Sequence, residues 1–215
     1  MTNEPVSVAI ADDHPVVRQG LRFQLEKNSR FKIVQEFSNA ASLMKEFSRS
    51  EWEVLILDVD LKDGNGVELT KQMLLHRPEL KILILSIYPE HKYAARAMKA
   101  GAKGYINKDS LLDKIEEAVS TVASGKLYMS KEVSEILALE SIKGLNKEYP
   151  HSELSDRELQ ILCLYGSGKT NHEIADQLYL SIKTVSTYRG RILKKMNFKT
   201  TAELMSYAIE HKLVV

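Results

Sequence analysis

Five polar residues stand directly after short runs of apolar residues, where they could act together on one ligand. Asp12 and Asp13 follow the first run, Asp58 ends the third, Ser86 ends the fourth, and Lys108 follows the fifth. Ligands of an open parallel sheet bind outside the carboxyl ends of its strands. If these runs are strands of such a sheet, the five side chains line one binding edge.

These side chains together have the chemistry of a phosphoryl-transfer site. Carboxylates that converge repel one another unless a cation lies among them, and hard oxygen ligands favour Mg²⁺. A carboxylate beside a metal ion can attack phosphorus and form an aspartyl phosphate. Lys108 and Mg²⁺ would neutralise the phosphoryl oxygens, and the Ser86 hydroxyl could donate a hydrogen bond to one of them. For Asp58 alone the alternative is a solvated turn residue, since aspartate is favoured in turns.

A second chemically informative segment is basic. Residues 181–199 contain six Lys or Arg side chains and no acid, although the whole chain has 30 basic and 29 acidic residues. The pattern predicts a helix over 182–196. At about 100° per residue, one apolar sector of this helix contains Ile182, Val185, Ile192, Leu193 and Met196. The candidate DNA contacts are Lys183, Thr184, Ser186, Thr187, Gly190, Arg191, Lys194 and Lys195.

The polar side of this helix suits the major groove of DNA, where cations meet phosphates and polar side chains reach base edges. Gly190 in mid-helix costs about 1 kcal/mol against alanine, which favours a close approach to a partner. Arg189 falls on the apolar side and is interpreted as a residue at the edge of the core. A helix over 170–178 and the short turn 179–181 precede it, which is helix-turn-helix spacing. The alternative is a solvated basic face.

The elements that would position the acidic set alternate regularly between residues 6 and 124. Five strands alternating with five helices favour a parallel sheet covered on both faces. We expect an α/β fold with a flavodoxin-like, doubly wound, five-stranded sheet, in which the first and third strands are neighbours and their carboxylates converge. The predicted strands are Val6–Ala11, Lys32–Glu36, Val54–Asp58, Lys81–Ser86 and Gly104–Asn107. The predicted helices lie near 15–27, 40–48, 65–76, 91–100 and 111–124, with Pro15 and Pro89 where helices should begin.

The rest of the chain has a different pattern. Residues 125–151 have the features of a linker, because Gly144, Asn146 and Pro150 interrupt a weak helical pattern near residues 133–137. After Ser152 the sequence has no strand pattern. Capping-box spacing begins three helices there, at Ser155, Thr170 and Thr200. Residues 152–215 are therefore predicted to form a small all-helical domain.

Composition excludes several classes of protein. The 215 residues, 44% of them hydrophobic, suffice for one large or two small domains. The longest uncharged apolar run, Val54–Leu57, is far shorter than a membrane span, and the first residues lack a secretion-signal pattern. A single cysteine, Cys163, excludes an intramolecular disulfide and a cysteine-rich metal site. We expect a soluble, cytoplasmic protein with no membrane contact.

The acidic set, in its order along the chain, resembles the receiver domain of two-component response regulators. Residues 11–15 (ADDHP) and 101–108 (GAKGYINK) look like its NarL/FixJ branch, although Asp109 stands where many receivers have proline. The resemblance implies that Asp58 accepts a phosphoryl group from a histidine kinase or a phosphotransfer protein. It also implies that Ser86 and Tyr105 form a switch pair. The Mg²⁺ ligands that it implies are Asp12, Asp13, Asp58 and the main-chain carbonyl of Asp60.

The helical segment resembles the LuxR-type helix-turn-helix over nearly all of residues 152–215. The matching stretches are 154–158 (LSDRE), 173–175 (EIA), 183–185 (KTV) and 192–196 (ILKKM). The two resemblances imply a receiver domain over 1–124, a linker over 125–151 and a DNA-binding domain over 152–215. The expected protein is a transcription regulator of double-stranded DNA that forms a homodimer when phosphorylated. It would not be an enzyme, but would take up and slowly lose its own aspartyl phosphate.

Two other classes of protein are alternatives to this interpretation. A phosphatase of the haloacid-dehalogenase kind is prompted by Asp58-Val-Asp60, but it needs further acidic ligands where Ser86 and Lys108 stand, and it has no use for the basic helix. A phosphorelay protein without a DNA role stays open, and a gel-shift on genomic fragments would separate it from a transcription regulator. An EF-hand is disfavoured, because Gly64 occupies the seventh rather than the sixth place of the loop.

Overall fold

A computed structural model describes residues 4–88, 90–143 and 149–214. These residues form two compact units that divide between Val133 and Ser134. Pro89, expected at the start of a helix, and Gly144 and Asn146, expected in the linker, lie outside the described residues.

The first unit is a five-stranded parallel sheet with helices on both faces, so the predicted fold class is confirmed. The strand order is β2-β1-β3-β6-β7, and the short strands β4 and β5 form a separate hairpin. The strands are β1 (Val6–Ala11), β2 (Phe31–Phe37), β3 (Val54–Asp58), β4 (Asp60–Leu61), β5 (Gly64–Asn65), β6 (Lys81–Ser86) and β7 (Gly104–Asn107). The helices are α1 (Pro15–Glu26), α2 (Ala40–Phe47), α3 (Gly66–His76), α4 (Glu90–Lys99) and α5 (Leu111–Ala123).

The two central strands carry the core of this unit. Every residue of β3 is buried, and so is every residue of β6 after Lys81. Each fully buried Val, Leu or Ile side chain contributes about 1.5–3 kcal/mol relative to exposure. On one face the strands pack against Leu21 and Leu25 of α1 and against Ile115 and Val119 of α5. Coverage of both faces explains why these strands are continuous apolar runs rather than alternating ones.

The edge strand β7 gains a partner from the segment that follows α5. Gly104 pairs with Tyr128 in a parallel bridge, and the amide of Tyr105 donates a hydrogen bond to the Tyr128 carbonyl at 3.1 Å. The main-chain N–H of Ser130 donates to the Glu90 carboxylate at 3.1 Å. A helix, α6 (Lys131–Lys143), begins directly after these contacts. The weak helical pattern within the predicted linker therefore corresponds to a real helix.

The second unit contains the helices that the sequence predicts there, α9 from its apolar sector and the others from capping boxes. They are α7 (Asp156–Gly166), α8 (Asn171–Gln177), α9 (Ile182–Met196) and α10 (Thr201–Glu210). Ser155 and Thr170 begin complete capping boxes with Glu158 and Glu173. At the third site the Thr200 hydroxyl accepts from the Glu203 amide, while the Glu203 carboxylate accepts from the Lys199 amide instead of from that of Thr200.

One prediction about the core of this unit was wrong. Val185, Ile192 and Met196 of α9 are buried, but Ile182 is 49% exposed and Leu193 is only half-buried. Ile182 lies in the first turn, where side chains point back toward the N-terminus of the helix. The helical wheel assigned it to the apolar sector because a wheel contains no information about where the packing partners end.

Candidate functional site

The three aspartates predicted to converge do so at the carboxyl edge of the sheet. Asp12 and Asp13 follow β1, and Asp58 ends the adjacent strand β3. Oxygen atoms of these carboxylates and a ring nitrogen of His14 all lie within 4.8 Å of one another. Asp12 and Asp58 are 0% and 2% exposed, whereas Asp13 is half-buried and His14 is exposed. The strand order therefore places a compact acidic cluster where an open sheet binds ligands.

Lys108 connects the two buried carboxylates. Its Nζ lies 2.7 Å from Oδ2 of Asp12 and 2.7 Å from Oδ2 of Asp58. Its own strand, β7, is two positions away from β3 in the sheet, so only tertiary folding brings the three side chains together. Two buried carboxylates that share one ammonium leave the cluster with excess negative charge. This composition fits a hard divalent cation such as Mg²⁺, with Asp12, Asp13 and Asp58 as oxygen ligands.

Burial, together with this excess negative charge, shifts the pKa values of the cluster. Burial raises the pKa of Asp58 to about 8, the charges of Asp12 and Asp60 add to the rise, and Lys108 opposes it. Burial by itself would lower the pKa of Lys108, but the charges of Asp58 and Asp12 outweigh burial and raise it. Lys108 thus stays charged, whereas Asp58 needs further positive charge nearby in order to ionise at neutral pH.

The backbone around Asp58 is held by a close approach that requires glycine. A Cβ atom at Gly66 would lie only 2.3 Å from the Asp58 carbonyl oxygen. The Gly66 amide donates to the Val59 carbonyl at 2.8 Å, and the Val59 amide donates to Leu85 of β6 at 2.9 Å. The amide of Asp60 donates to Oδ1 of Asp58 at 3.3 Å. The main chain of Asp60 is thus in contact with the Asp58 carboxylate.

Ser86 and Tyr105 are both tied to one residue, Tyr88, which the sequence did not single out. The Ser86 Oγ accepts a hydrogen bond from the Tyr88 amide at 3.0 Å. The Tyr105 hydroxyl donates to the Tyr88 carbonyl at 2.9 Å, and Tyr105 is only 1% exposed. Burial raises the pKa of the Tyr105 phenol far above its ordinary value, so it acts here as a neutral donor. The main chain at Tyr88 therefore links the ends of β6 and β7.

The predicted reading face of α9 is largely exposed. Thr184 and Ser186 are half-buried, and the Thr187 hydroxyl donates to the Lys183 carbonyl at 2.9 Å. A Cβ atom added at Gly190 would have no heavy atom within 4 Å, so internal packing does not explain this glycine. The exposed members of the face are Lys183, Thr187, Gly190, Arg191 and Lys194.

Lys195 differs from its predicted neighbours on this face. Its Nζ lies 2.6 Å from Oε2 of Glu158, a residue of α7 that is 3% exposed. Burial would raise the pKa of Glu158, but Lys195 and the amide of Ser155 together lower it. Lys195 therefore pairs within the helical unit while its side chain stays 40% exposed, and its contact with DNA stays a prediction. The charge run alone could not reveal a buried carboxylate on another helix.

A parallel α/β sheet with a lysine-bridged acidic cluster at its carboxyl edge, together with a helix-turn-helix unit, defines a response regulator with a DNA-binding output domain. The family model of the response regulator receiver domain matches residues 8–120, and that of bacterial regulatory proteins of the luxR family matches residues 152–208. The chain belongs to the NarL/FixJ family of response regulators, whose members are in general transcription factors rather than enzymes. These matches decide against the phosphatase and against a phosphorelay protein without a DNA-binding domain.

Similar proteins match over nearly the whole chain. Response regulator UvrY of Escherichia coli K12 is 34% identical over 97% of this chain and 95% of its own length. Oxygen regulatory protein NreC of Staphylococcus carnosus is 33% identical over 97% of this chain and 99% of its own. The structure of RcsB from Salmonella enterica serovar Typhimurium bound to promoter rprA with the phosphomimetic BeF₃⁻ is 27% identical, with a TM-score of 0.64 over 94% of this chain and 98% of that one. Among the described residues, no helix has the length and apolar character needed to cross a bilayer.

The raised pKa of Asp58 yields a stability prediction. A carboxyl group with a raised pKa binds its proton more tightly in the folded than in the unfolded chain. In Mg²⁺-free buffer, Asp58→Asn should therefore raise the melting temperature at neutral pH, by about 2–4 °C for each 1 kcal/mol gained. The gain should be absent below about pH 4, where both states hold the proton, and should grow until the pH passes about 8. Thermal melts across this pH range measure it.

The matched control is Asp109→Asn, which removes the same charge from an exposed position next to Lys108. It should leave the melting temperature nearly unchanged at every pH. A difference between Asp58→Asn and the wild type that does not depend on pH would contradict the assigned charge imbalance.

Proposed function

We propose that Asp58 is the phosphoacceptor of a transcription regulator whose DNA binding is controlled by phosphorylation. The observation that carries this proposal is the position of the Lys108 ammonium between the buried carboxylates of Asp12 and Asp58. The phosphodonor would be the phosphohistidine of a sensor kinase or of a phosphotransfer protein. The proposed domains keep the limits expected from the sequence: the receiver over 1–124, the linker over 125–151 and the DNA-binding domain over 152–215. The proposed location is the cytoplasm.

The proposed reaction is a single phosphoryl transfer. An Oδ atom of Asp58 attacks the phosphorus, the P–N bond of the donor histidine breaks, and the imidazole leaves with its electron pair and takes a proton. Lys108 neutralises one phosphoryl oxygen, and the Ser86 hydroxyl donates to another. The Mg²⁺ ligands would be Asp12, Asp13, Asp58 and the Asp60 main-chain carbonyl. Bound there, Mg²⁺ would supply the positive charge that favours ionised Asp58 and offsets the phosphoryl charge.

The phosphorylated chain is proposed to lose its phosphate slowly by attack of water on the acyl phosphate. The chain thus turns over only its own modification and is not an enzyme for another substrate. The exposed ring of His14 lies 2.7 Å from Oδ1 of Asp13. We assign His14 no step in the transfer, because its contacts with the carboxylates of Asp12 and Asp13 account for its position.

The proposed switch acts through Ser86, Tyr88 and Tyr105. A phosphoryl group on Asp58 would attract the Ser86 hydroxyl, which now accepts from the Tyr88 amide. The Tyr105 hydroxyl donates to the carbonyl of Tyr88, and the Tyr105 amide donates to the carbonyl of Tyr128. A shift at Tyr88 would therefore reach the segment that enters α6. Phosphorylation can move such an equilibrium only by the free-energy difference between its two states.

The DNA-binding half of the proposal rests on α9. The major groove would receive Lys183, Thr187, Gly190, Arg191 and Lys194, with Thr184 and Ser186 at its border. RcsB is described both as bound to promoters and as dimers bound to DNA. We propose that this chain likewise binds double-stranded DNA as a homodimer, because a two-fold site requires paired reading helices. We propose that Lys195, unlike these residues, makes no phosphate contact, because its ammonium already pairs with Glu158.

The phosphosite is tested by incorporation of label from acetyl phosphate in the presence of Mg²⁺. Asp58→Asn should abolish incorporation, because the amide is not a nucleophile toward phosphorus. Asp60→Asn is the matched control and should retain it, since Asp60 is assigned only a main-chain ligand. Retained labelling of Asp58→Asn would place the nucleophile elsewhere. Loss of labelling in Asp60→Asn would contradict the main-chain role.

Two neighbouring lysines give a sharp test of the reading face. Lys194→Gln should weaken binding to a DNA duplex and lower the slope of log affinity against log salt by about 1. Lys195→Gln should leave that slope unchanged and instead lower the melting temperature, because it leaves buried Glu158 unpaired. Filter binding over a salt series, together with thermal melts, measures both. Equal slopes for the two variants would refute the assignment of the face.

The switch is tested on the full chain with and without acetyl phosphate. Phosphorylation should raise affinity for a duplex selected by the protein, and a tenfold gain corresponds to about 1.4 kcal/mol. Binding is measured at protein concentrations that span dimerisation, with sedimentation as the readout of the dimer. Asp58→Asn should show neither gain. Equal affinity of phosphorylated and unphosphorylated wild-type chain would overturn the switch while leaving the phosphosite intact.

A further inference from the structure

A directed chain of hydrogen bonds runs from α7 through α8 to α9. The Tyr165 hydroxyl donates to Oδ1 of Asn171 at 2.7 Å, because an amide oxygen can only accept. The Nδ2 of Asn171 then donates to the Ser186 Oγ at 3.1 Å. Ser186 is thus an acceptor within this chain, and its own hydrogen is left to donate. Among the described residues, the structure shows no acceptor for it.

Arg189 lies one turn further along α9, on the side of Ser186. Its side chain is half-buried, and its Nε is buried with no hydrogen-bond partner in the described part of the chain. Arg189 is near Tyr165, since its positive charge opposes the rise that burial causes in the pKa of that phenol. No ion pair of Arg189 with a carboxylate is present among the described residues.

Donors without acceptors are costly inside a folded protein, especially on a charged group. The buried Nε of Arg189 therefore calls for an acceptor from outside the described residues, and the half-buried Ser186 hydroxyl has a hydrogen that it can donate to the same group. That acceptor must be anionic to match a guanidinium and must have oxygens that receive O–H and N–H donors. A phosphodiester has both properties, and arginine and serine are among the side chains that contact DNA phosphates.

We propose that Ser186 and Arg189 form a notch that binds one backbone phosphate of a DNA duplex, with Asn171 and Tyr165 as positioning residues. The inference rests on the proposed function of α9 as the reading helix and extends its contacts toward α8. The notch is distinct from the exposed cations of the face, because it lies on the side of α9 that a helical wheel assigns to the core. Its contact is independent of base sequence.

The test measures affinity of the full chain for a random-sequence duplex of about 30 base pairs, or three helical turns, over a salt series. Arg189→Gln should lower affinity about tenfold, equivalent to 1.4 kcal/mol, and reduce the salt slope by about 0.9. Arg189→Lys should keep the slope and recover most of the affinity. Lys212→Gln, which removes one charge from an exposed position of the same unit, is the matched control and should do neither.

A double-mutant cycle tests the positioning role. Ser186→Ala should weaken binding without changing the salt slope, because the hydroxyl is neutral. Asn171→Ala should weaken it similarly, and the double variant should be no weaker than Ser186→Ala by itself. Additive losses would remove Asn171 from the proposal. Thermal melts establish that each variant is folded. If Arg189→Gln does not fold, Arg189→Lys replaces it in the test, and a reduced salt slope in Arg189→Lys would contradict a contact that depends only on the positive charge.

The outcomes separate this inference from the proposed function. If Lys183→Gln lowers the salt slope but Arg189→Gln behaves like Lys212→Gln, α9 is the reading helix and the notch is overturned. If the wild-type chain binds no duplex at all, the proposed function fails and the notch fails with it. Changes in base preference in Arg189→Gln without a change in slope would also overturn a phosphate contact.

Discussion

Two buried carboxylates that share one ammonium constrain the sheet half of this protein. A buried charge is tolerated only when partners surround it closely, so the strand ends that carry Asp12, Asp58 and Lys108 cannot move independently. The turn after β1 is held further by Arg18, whose guanidinium donates to the Asp12 carbonyl at 2.6 Å. Burial and the excess negative charge disfavour the ionised form of Asp58 at neutral pH unless further positive charge lies nearby. Binding of a cation, or a change in the charge of Asp58, would therefore alter the charge balance of the whole cluster.

The proposed switch has a short physical route away from the cluster. Tyr88 is held from one side by Ser86 and from the other by Tyr105, and its ring stacks on Tyr93 of α4 with centroids 4.5 Å apart. Tyr105 and Glu90 each hold the main chain just before α6. These bonds are individually modest, at about 0.5–1.5 kcal/mol each. Bonds of that size suit a switch, because the coupling it requires is of similar size.

Local pattern was sufficient for most of the architecture and for part of the site. The bounds of β1, β3, β6 and β7 and of α9 agree with the sequence, because burial on both strand faces and capping at Ser181 leave patterns within a dozen residues. The convergence of Asp12, Asp13 and Asp58 followed from one topological rule about strand order. The two resemblances supplied the family. The roles of the individual residues stay predictions, since geometry shows where side chains lie and not what they do.

What only the tertiary structure decided involves partners far apart in the chain. The Nζ atom of Lys195 pairs with Glu158, 37 residues earlier in the chain, which its place in the basic run does not indicate. Ile182 is 49% exposed although its place in the apolar sector of α9 predicts burial. Tyr88, Asn171 and Arg189 carry no motif, and their environment exists only after the strands and helices have packed. Sequence periodicity reports which face of an element is buried, whereas the identity of the covering atoms depends on contacts that periodicity does not encode.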